Sequence, residues 1–120
     1  MLKRWALVIL IVYLIALTIG SLSNIGVVPN LGLSYDDKIY HCIAYALLTL
    51  LLFNYLRTIK KNYMILIAVV IAITYGIIIE ALQSILTDFR TPDYLDVIAN
   101  TIGVILASLL LHYRNKLKLK

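Results

Sequence analysis

The sequence predicts an all-α, polytopic membrane protein: a four-helix transmembrane bundle with both termini in the cytoplasm. The first observation is composition, since 62% of the 120 residues are hydrophobic and 14% are charged, a balance too apolar for a water-soluble domain. The second is that the apolar residues form four runs, each long enough as a helix to cross a hydrocarbon core of about 30 Å. The third is that positive and negative charges collect in different connections. We expect residues 1–120 to form a single membrane domain.

The four predicted spans are bounded by polar or helix-breaking residues. Glycine, proline and asparagine follow the first run, cations follow the second, and the segment from Asp88 to Pro92 follows the third. Because lipid offers no hydrogen-bond partners, backbone groups inside a bilayer must be satisfied within their own segment, which favours helices over open strands. The predicted helices cover approximately residues 5–23, 39–56, 63–86 and 95–113.

The distribution of cations predicts the orientation of the bundle. Nine of the eleven Lys and Arg residues lie before the first span, between the second and third, or after the fourth. With four spans these places share one side of the membrane, and an excess of cations marks the cytoplasmic side. We therefore predict a multi-pass protein of the cell membrane with both termini inside. The net charge of +5 reflects this topology and contact with anionic membrane lipids, and we predict no nucleic-acid binding.

A cleaved signal peptide is an alternative interpretation of the first run. Lys3 and Arg4, an apolar stretch and the segment Ser21-Leu22-Ser23 follow the order of charged region, core and cleavage site. The apolar stretch is long for that role, and cleavage would leave three spans. The side of the membrane on which the acidic residues lie would not change.

All six acidic residues are predicted to lie on the side opposite most of the cations, in or near the first and third connections. Two cations, Lys38 and Arg90, accompany them. Glu80 is about six residues inside the outer end of its span, roughly 9 Å deep by helical rise, where an ionised carboxylate needs a partner or water. This one-sided distribution predicts an outward-facing polar pocket. The acidic residues are Asp36, Asp37, Glu80, Asp88, Asp93 and Asp96.

Polar and small residues recur at helical spacing on three predicted helices, so that each set shares one face. On the third helix they are Gly76, Glu80, Gln83 and Thr87. On the fourth they are Asp93, Asp96, Asn100, Gly103 and Ala107. On the second they are Asp37, His41 and Tyr45, with Lys38 beside them. The first helix adds Tyr13 and Gly20. Because the stripes lie at similar depth, we expect them to converge in the outer half of the bundle.

These side chains also have structural interpretations. Asp93 and Asp96 are suited to cap a helix and to interact with its dipole. Gln83 and Asn100 are suited to hold helices together, and Glu80 could form an ion pair with Lys38 or Arg90. His41 could lie at the headgroup level, and Arg90 could be a solvated charge or bind a lipid phosphate.

Three kinds of chemistry remain open for the predicted pocket. His41 and Glu80 are candidates for an acid–base pair, with His41 held by Asp37, and the sequence leaves open whether the protein is an enzyme. The candidate ligand- and anion-binding residues are Asp37, Lys38, Tyr45, Gln83, Arg90, Asp96 and Asn100. A divalent metal could bind His41 with Glu80, Asp93 or Asp96, but no close ligand motif is present, and the lone Cys42 excludes a multi-cysteine zinc site. No other cofactor is indicated.

These residues resemble the conserved pattern of the VanZ-like family. The resemblance rests on Asp37-Lys38-x-x-His41 with Tyr45, on Gly76-x-x-x-Glu80-x-x-Gln83, and on Arg90, Asp96-x-x-x-Asn100 and Gly103, in the family's order over about residues 36–107. It implies a small integral membrane protein of the bacterial cell envelope. The family's namesake is associated with low-level resistance to the glycopeptide teicoplanin, so the resemblance also implies a link to antibiotic resistance.

The leading functional hypothesis is a cell-envelope protein whose outward-facing pocket binds or modifies a lipid-linked or anionic envelope component. Its expected partners are membrane lipids, a lipid-linked envelope precursor and further copies of the same chain. One alternative is a non-enzymatic scaffold or assembly protein whose polar residues hold the helices together. Another is a small proton-coupled carrier, for which a dimer would have to supply more spans.

Overall fold

The computed structural model describes residues 2–22, 36–59, 62–86 and 94–118, and its regular secondary structure there is entirely α-helical. Helix α1 covers Leu2–Leu22, α2 covers Asp36–Thr58, α3 covers Met64–Leu86 and α4 covers Tyr94–Lys118. All four are long and apolar enough to cross a membrane. The all-helical prediction with four candidate membrane helices is confirmed, and the predicted spans overlap the observed helices in the same order.

Three helices extend beyond their predicted spans, and α1 does so by beginning at Leu2 instead of Trp5. Helix α2 begins at Asp36 instead of Ile39, and an acidic start of this kind is favoured by the positive end of the helix dipole. Helix α4 continues through the Lys-Leu tail to Lys118, since both residue types are good helix formers. Asp96 lies in the first turn of α4, as the sequence predicts.

Helix α2 is the central element of the bundle. It packs most extensively against α4 and also contacts α1 and α3, whereas α1 and α4 do not contact each other within the described residues. The core contains Leu48, Leu52 and Phe53 of α2 with Val104 of α4. On α3, the buried face consists of small residues four apart, Ala68, Ala72 and Gly76, which let a neighbouring helix approach closely.

The outer faces of the helices are apolar. Helix α1, for example, exposes Trp5, Val12, Ile15 and Ile19, and the other helices expose similar rows of isoleucine and leucine. Contiguous apolar surface of this extent is unfavourable in water but is the natural surface of a bundle in lipid. The length of 48 Å along the longest axis is sufficient to cross a hydrocarbon core of about 30 Å.

Polar contacts join α1 to the rest of the bundle. The Tyr13 hydroxyl donates to the backbone oxygen of Ala44 on α2 at 2.5 Å. The hydroxyl groups of Thr18 and Tyr75 form a hydrogen bond between α1 and α3. Gly20, by contrast, is exposed and has no neighbour within 4 Å among the described residues. Helix α1 is therefore an integral member of the bundle through its hydroxyl-bearing face, and Gly20 does not contribute to that contact.

Candidate functional site

An ion pair links α2 to α4 at the acid-rich end of the bundle. Nζ of Lys38 donates to Oδ1 of Asp96 at 2.6 Å. The Lys38 side chain is 23% exposed and that of Asp96 is 4% exposed. Removing a carboxylate from water to this extent is unfavourable unless a cation and hydrogen bonds compensate it. Lys38 supplies that compensation, and its own partial exposure leaves the ammonium group accessible from outside the bundle.

His41 lies one turn after Lys38 and contacts the next polar residue of α4. Its Nδ1 and Oδ1 of Asn100 form a hydrogen bond of 2.9 Å, and its Nε2 lies 3.9 Å from Oδ2 of Asp96. If Nδ1 carries the proton and donates to Asn100, then Nε2 is the basic nitrogen and faces the carboxylate side of the site. Among the described side chains, the carboxylate that the structure places beside His41 is thus that of Asp96.

The close approach of α2 and α4 is made possible by Gly103. A Cβ atom on Gly103 would overlap the carbonyl oxygen of Cys42 and lie 2.9 Å from its carbonyl carbon. Backbone atoms cannot move aside as a flexible side chain can, so a larger residue would separate the two helices. Cys42 follows His41 directly, and this contact therefore sets the distance across which His41 reaches Asn100.

Tyr45 and Gly76 extend the site toward the centre of the bundle. A Cβ on Gly76 would lie 3.1 Å from Cε1 of Tyr45 and 3.2 Å from Nδ2 of Asn100, so α2, α3 and α4 meet at this glycine. Gly76 is therefore a point of close approach between these helices. Tyr45 is fully buried, and within the described part of the chain its hydroxyl group has no hydrogen-bond partner. It therefore adds an uncommitted donor and acceptor to the inner wall of the site.

Glu80 and Gln83 lie on the buried face of α3. Glu80 is one turn after Gly76 and within electrostatic range of Tyr45. Nε2 of Gln83 donates to the backbone oxygen of Ser21 on α1 at 2.8 Å. Gln83 thus holds α1 against α3, in agreement with its interpretation as an interhelical contact. Glu80 brings a second carboxylate to the region that contains Asp96.

One residue of this region does not belong to the sets of polar and small residues that the sequence analysis singled out. Tyr75 contacts Thr18 of α1 through its hydroxyl group, and its ring centroid lies 6.2 Å from that of Tyr45. The available signal is a tyrosine in the middle of an apolar span, directly before the glycine at the helix contact. A phenol at that depth needs a hydrogen-bond partner and so indicates a contact between helices.

Comparison with known protein families covers almost the whole bundle. The sequence matches the VanZ/LLP1 family over residues 5–115. This chain belongs to the VanZ/LLP1 family. The match confirms the resemblance that the ordered motifs indicate. No solved structure matches the chain.

A curated relative of this VanZ/LLP1 protein comes from Schizosaccharomyces pombe, where it is named uncharacterized protein C11E3.10. The two are 30% identical over 112 residues, which cover 92% of this chain and 67% of the yeast protein. The similarity therefore extends across all four helices and is shared with a eukaryotic protein.

Two of the predicted site residues lie outside what the structure describes. Arg90 is in the connection between α3 and α4, and Asp37 belongs to α2 with its side chain outside the described part. Their roles in this VanZ/LLP1 protein remain predictions, as does the pairing of His41 with Asp37. Asp93, proposed above as a cap or metal ligand, also lies outside the described residues.

Metal binding gains no support from the described residues of this VanZ/LLP1 protein. In the ranges 2–22, 36–59, 62–86 and 94–118, no group of three His, Cys, Asp or Glu side chains is close enough to hold a metal ion. His41 and Asp96 approach each other, and Lys38 occupies one oxygen of that carboxylate. An ammonium group in this position repels a divalent cation and favours a negatively charged ligand.

Proposed function

We propose that this protein is a cell-envelope membrane protein that binds a phosphate-bearing headgroup of a membrane-anchored component at the acid-rich end of the bundle. The observation that carries the proposal is that the cationic member of the ion pair is more exposed than its carboxylate partner. Lys38 is 23% exposed, while its partner Asp96 is 4% exposed. His41, at 13%, is also more accessible than the carboxylate. A ligand that approaches from outside therefore meets the cation and the imidazole before the carboxylate of Asp96.

Anion binding at such a site requires Lys38 to share its three donors. An ammonium group can donate to a phosphate oxygen while it keeps one hydrogen bond to Asp96. Asn100 and Tyr45 lie further inside and offer neutral donors, which suit the uncharged part of a headgroup. Burial of Asp96 beneath Lys38 holds the ammonium in place and lowers the loss of side-chain freedom on binding.

A catalytic version of the proposal assigns the acid–base roles to His41 and Glu80. His41 is held at Nδ1 by Asn100, which fixes the ring orientation as general acid–base catalysis requires. Glu80 would act from α3, and Arg90 would bind the anion. Full retention of an envelope phenotype by both His41→Ala and Glu80→Gln, each folded normally, would contradict the catalytic version and leave the binding proposal standing.

We propose further that both termini face the cytoplasm, so that the site opens outward. Support comes from the nine cations at the opposite end. In a Cys42→Ser background, a cysteine introduced at Lys3 is expected to resist a membrane-impermeant thiol reagent in intact cells, whereas one at Lys38 is expected to react. If the cysteine at Lys3 reacted and the one at Lys38 did not, the termini would face outward and the proposed topology would be wrong.

The yeast relative favours a ligand that is not restricted to peptidoglycan synthesis, because yeast has no peptidoglycan. Phosphate-bearing isoprenoid lipids and phospholipids are common to both kinds of membrane. If the ligand in this protein's own membrane is a cell-wall precursor carrier, expression is expected to shift teicoplanin susceptibility, which a minimum inhibitory concentration measures directly.

The direct test is native mass spectrometry of the mildly extracted protein with an added polyisoprenyl monophosphate. The matched probe is the polyisoprenol of equal chain length, which lacks the phosphate. We expect a retained adduct with the monophosphate, about ten-fold less with the alcohol, and a similar reduction for Lys38→Gln. Lys3→Gln, at the other end of the bundle and outside the cleft described below, is the control and is expected to bind normally. Equal retention of both lipids would overturn the proposal.

A non-enzymatic scaffold is the second candidate, and one observation favours it. Several described polar side chains form hydrogen bonds between helices: Lys38 with Asp96, His41 with Asn100, and Gln83 with the α1 backbone. Such a network can specify helix register without a ligand. The scaffold predicts that substitutions lower thermal stability in detergent while no added lipid raises the stability of the wild type.

A further inference from the structure

An open cleft lies at the end of the bundle opposite the acidic residues. It has a volume of about 440 Å³ and is formed by the start of α3 and the end of α4, with Phe53 of α2 also lining it. Its lining includes Met64 and Val69 on α3, and Ser108 and His112 on α4. The volume lies within the range of about 300 to 1,000 Å³ typical of small-molecule sites, which suits a lipid chain and is small for a partner helix.

The lining of the cleft is mainly apolar on the side of α2 and α3 and polar on the side of α4. Phe53 and Val69 are apolar, while Ser108, His112 and Asn115 are polar. From Ser108 to Asn115 the rise along α4 is about 10 Å. An occupant with an apolar chain and a polar head would therefore match the two sides of the lining.

Two cations lie near the cleft, one on α2 and one on α4. Arg57 follows Phe53 by four residues and Lys116 follows His112 by four residues, so each cation shares a helix face with a lining residue. Both side chains are exposed. Cations on helices at this level attract anionic lipid, and basic pockets between helices are recognised sites for lipid headgroups.

The described carboxylates of α3 and α4 lie far from the cleft. Glu80 is the acidic residue of α3 and lies eleven residues beyond Val69, about 16 Å by helical rise. Asp96 is the acidic residue of α4 and lies twelve residues before Ser108, about 18 Å away on the same basis. These separations exceed the Debye length of about 8 Å at physiological ionic strength.

We propose that this cleft is a binding site for an anionic phospholipid. One acyl chain packs on Phe53, Met64 and Val69, and the phosphate group lies beside His112 with Arg57 and Lys116 around it. The site is independent of the function proposed above, because it uses different residues at the other end of the bundle.

The experiment is native mass spectrometry of the full chain with phosphatidylglycerol, compared with phosphatidylcholine of identical acyl chains. The test variant is Arg57→Gln with Lys116→Gln, and the matched control is Lys3→Gln with Arg4→Gln. The control removes two cations of the same membrane side from α1, which has no residue in the cleft lining and no contact with α4 among the described residues. A second test variant, Val69→Trp, fills the apolar part of the cleft and leaves every charge in place.

We expect the wild type to retain phosphatidylglycerol preferentially, and the test variant to lose about five-fold in affinity for each cation removed. Val69→Trp is expected to reduce binding of both lipids, while the control changes neither. Three results would overturn the proposal: no preference for phosphatidylglycerol, an equal loss in the α1 control, or unchanged binding by both the charge variant and a folded Val69→Trp.

Discussion

The two ends of this bundle use polar residues in opposite ways. At the acid-rich end, Lys38, His41, Asp96 and Asn100 contact one another across α2 and α4, and Gly103 brings the two backbones together. At the basic end, α2, α3 and α4 line a cleft with both apolar and polar side chains, and exposed cations lie on the same helices. Hydrogen bonds therefore fix the positions of the polar side chains at the acid-rich end, while the basic end exposes its cations at the level of the membrane surface.

Among substitutions that test this comparison, Gly103→Ala is expected to lower the free energy of unfolding most. The new methyl group would overlap the Cys42 carbonyl, so α2 and α4 must separate and the His41–Asn100 hydrogen bond must lengthen. Overpacking against backbone is expected to cost about 3 kcal/mol, measured as a lower unfolding free energy in detergent.

Gly20→Ala is the matched control for that variant. It makes the same change at a position where an added Cβ would meet no described atom within 4 Å, so stability is expected to stay equal or to rise by up to about 1 kcal/mol through helix propensity. Equal destabilisation by both glycine variants would show that the α2–α4 approach has no special role.

Asp96→Asn is expected to have the next largest effect. It keeps the shape of the side chain but removes the charge that holds Lys38 at 2.6 Å, at a cost of about 2 kcal/mol for a charge-assisted hydrogen bond in a partly buried site. Thermal unfolding in detergent checks the prediction. A variant as stable as the wild type would mean that Lys38 and Asp96 do not hold the acid-rich end together.

Tyr13→Phe tests the attachment of α1 and is expected to have a smaller effect. The substitution removes the donor to Ala44, while the carbonyl retains its helical hydrogen bond. A loss of about 1 kcal/mol is expected, with faster proteolysis near α1 as an independent readout. Ser84→Ala, which removes an exposed hydroxyl bonded within its own helix, is the control.

The smallest effect is expected from Tyr45→Phe. Because the Tyr45 hydroxyl has no hydrogen-bond partner among the described residues, its loss should change stability by less than about 0.5 kcal/mol. A large destabilisation would reveal a structural partner for this hydroxyl. Reduced retention of the polyisoprenyl monophosphate without loss of stability would instead assign the hydroxyl to the ligand.

The sequence was sufficient for the helices and for the end of the bundle where polar residues meet. Helical periodicity places Glu80 on one face with Gln83 and Asp96 on one face with Asn100, and hydrophobic length sets the number of candidate spans. These features are local to one segment and can be derived without knowing how the segments pack.

Partner choice could not be derived in the same way. Glu80 had two candidate partners, Lys38 and Arg90, and the structure pairs Lys38 with Asp96. Gln83 shares a face with Glu80 but bonds the backbone of α1. The rotation of each helix about its axis decides such contacts, and it depends on small residues such as Gly76 and Gly103 that carry no chemistry themselves.

The central claim, that the acid-rich end binds a ligand as well as holding the helices, is tested most directly by Lys38→Met combined with Asp96→Leu. Replacing both members of a buried ion pair by apolar residues is often neutral for stability, so the fold should survive while the exposed cation is removed. We predict a melting temperature close to that of the wild type and about ten-fold weaker retention of the polyisoprenyl monophosphate. Undiminished retention of that lipid by the stable double variant would contradict the account.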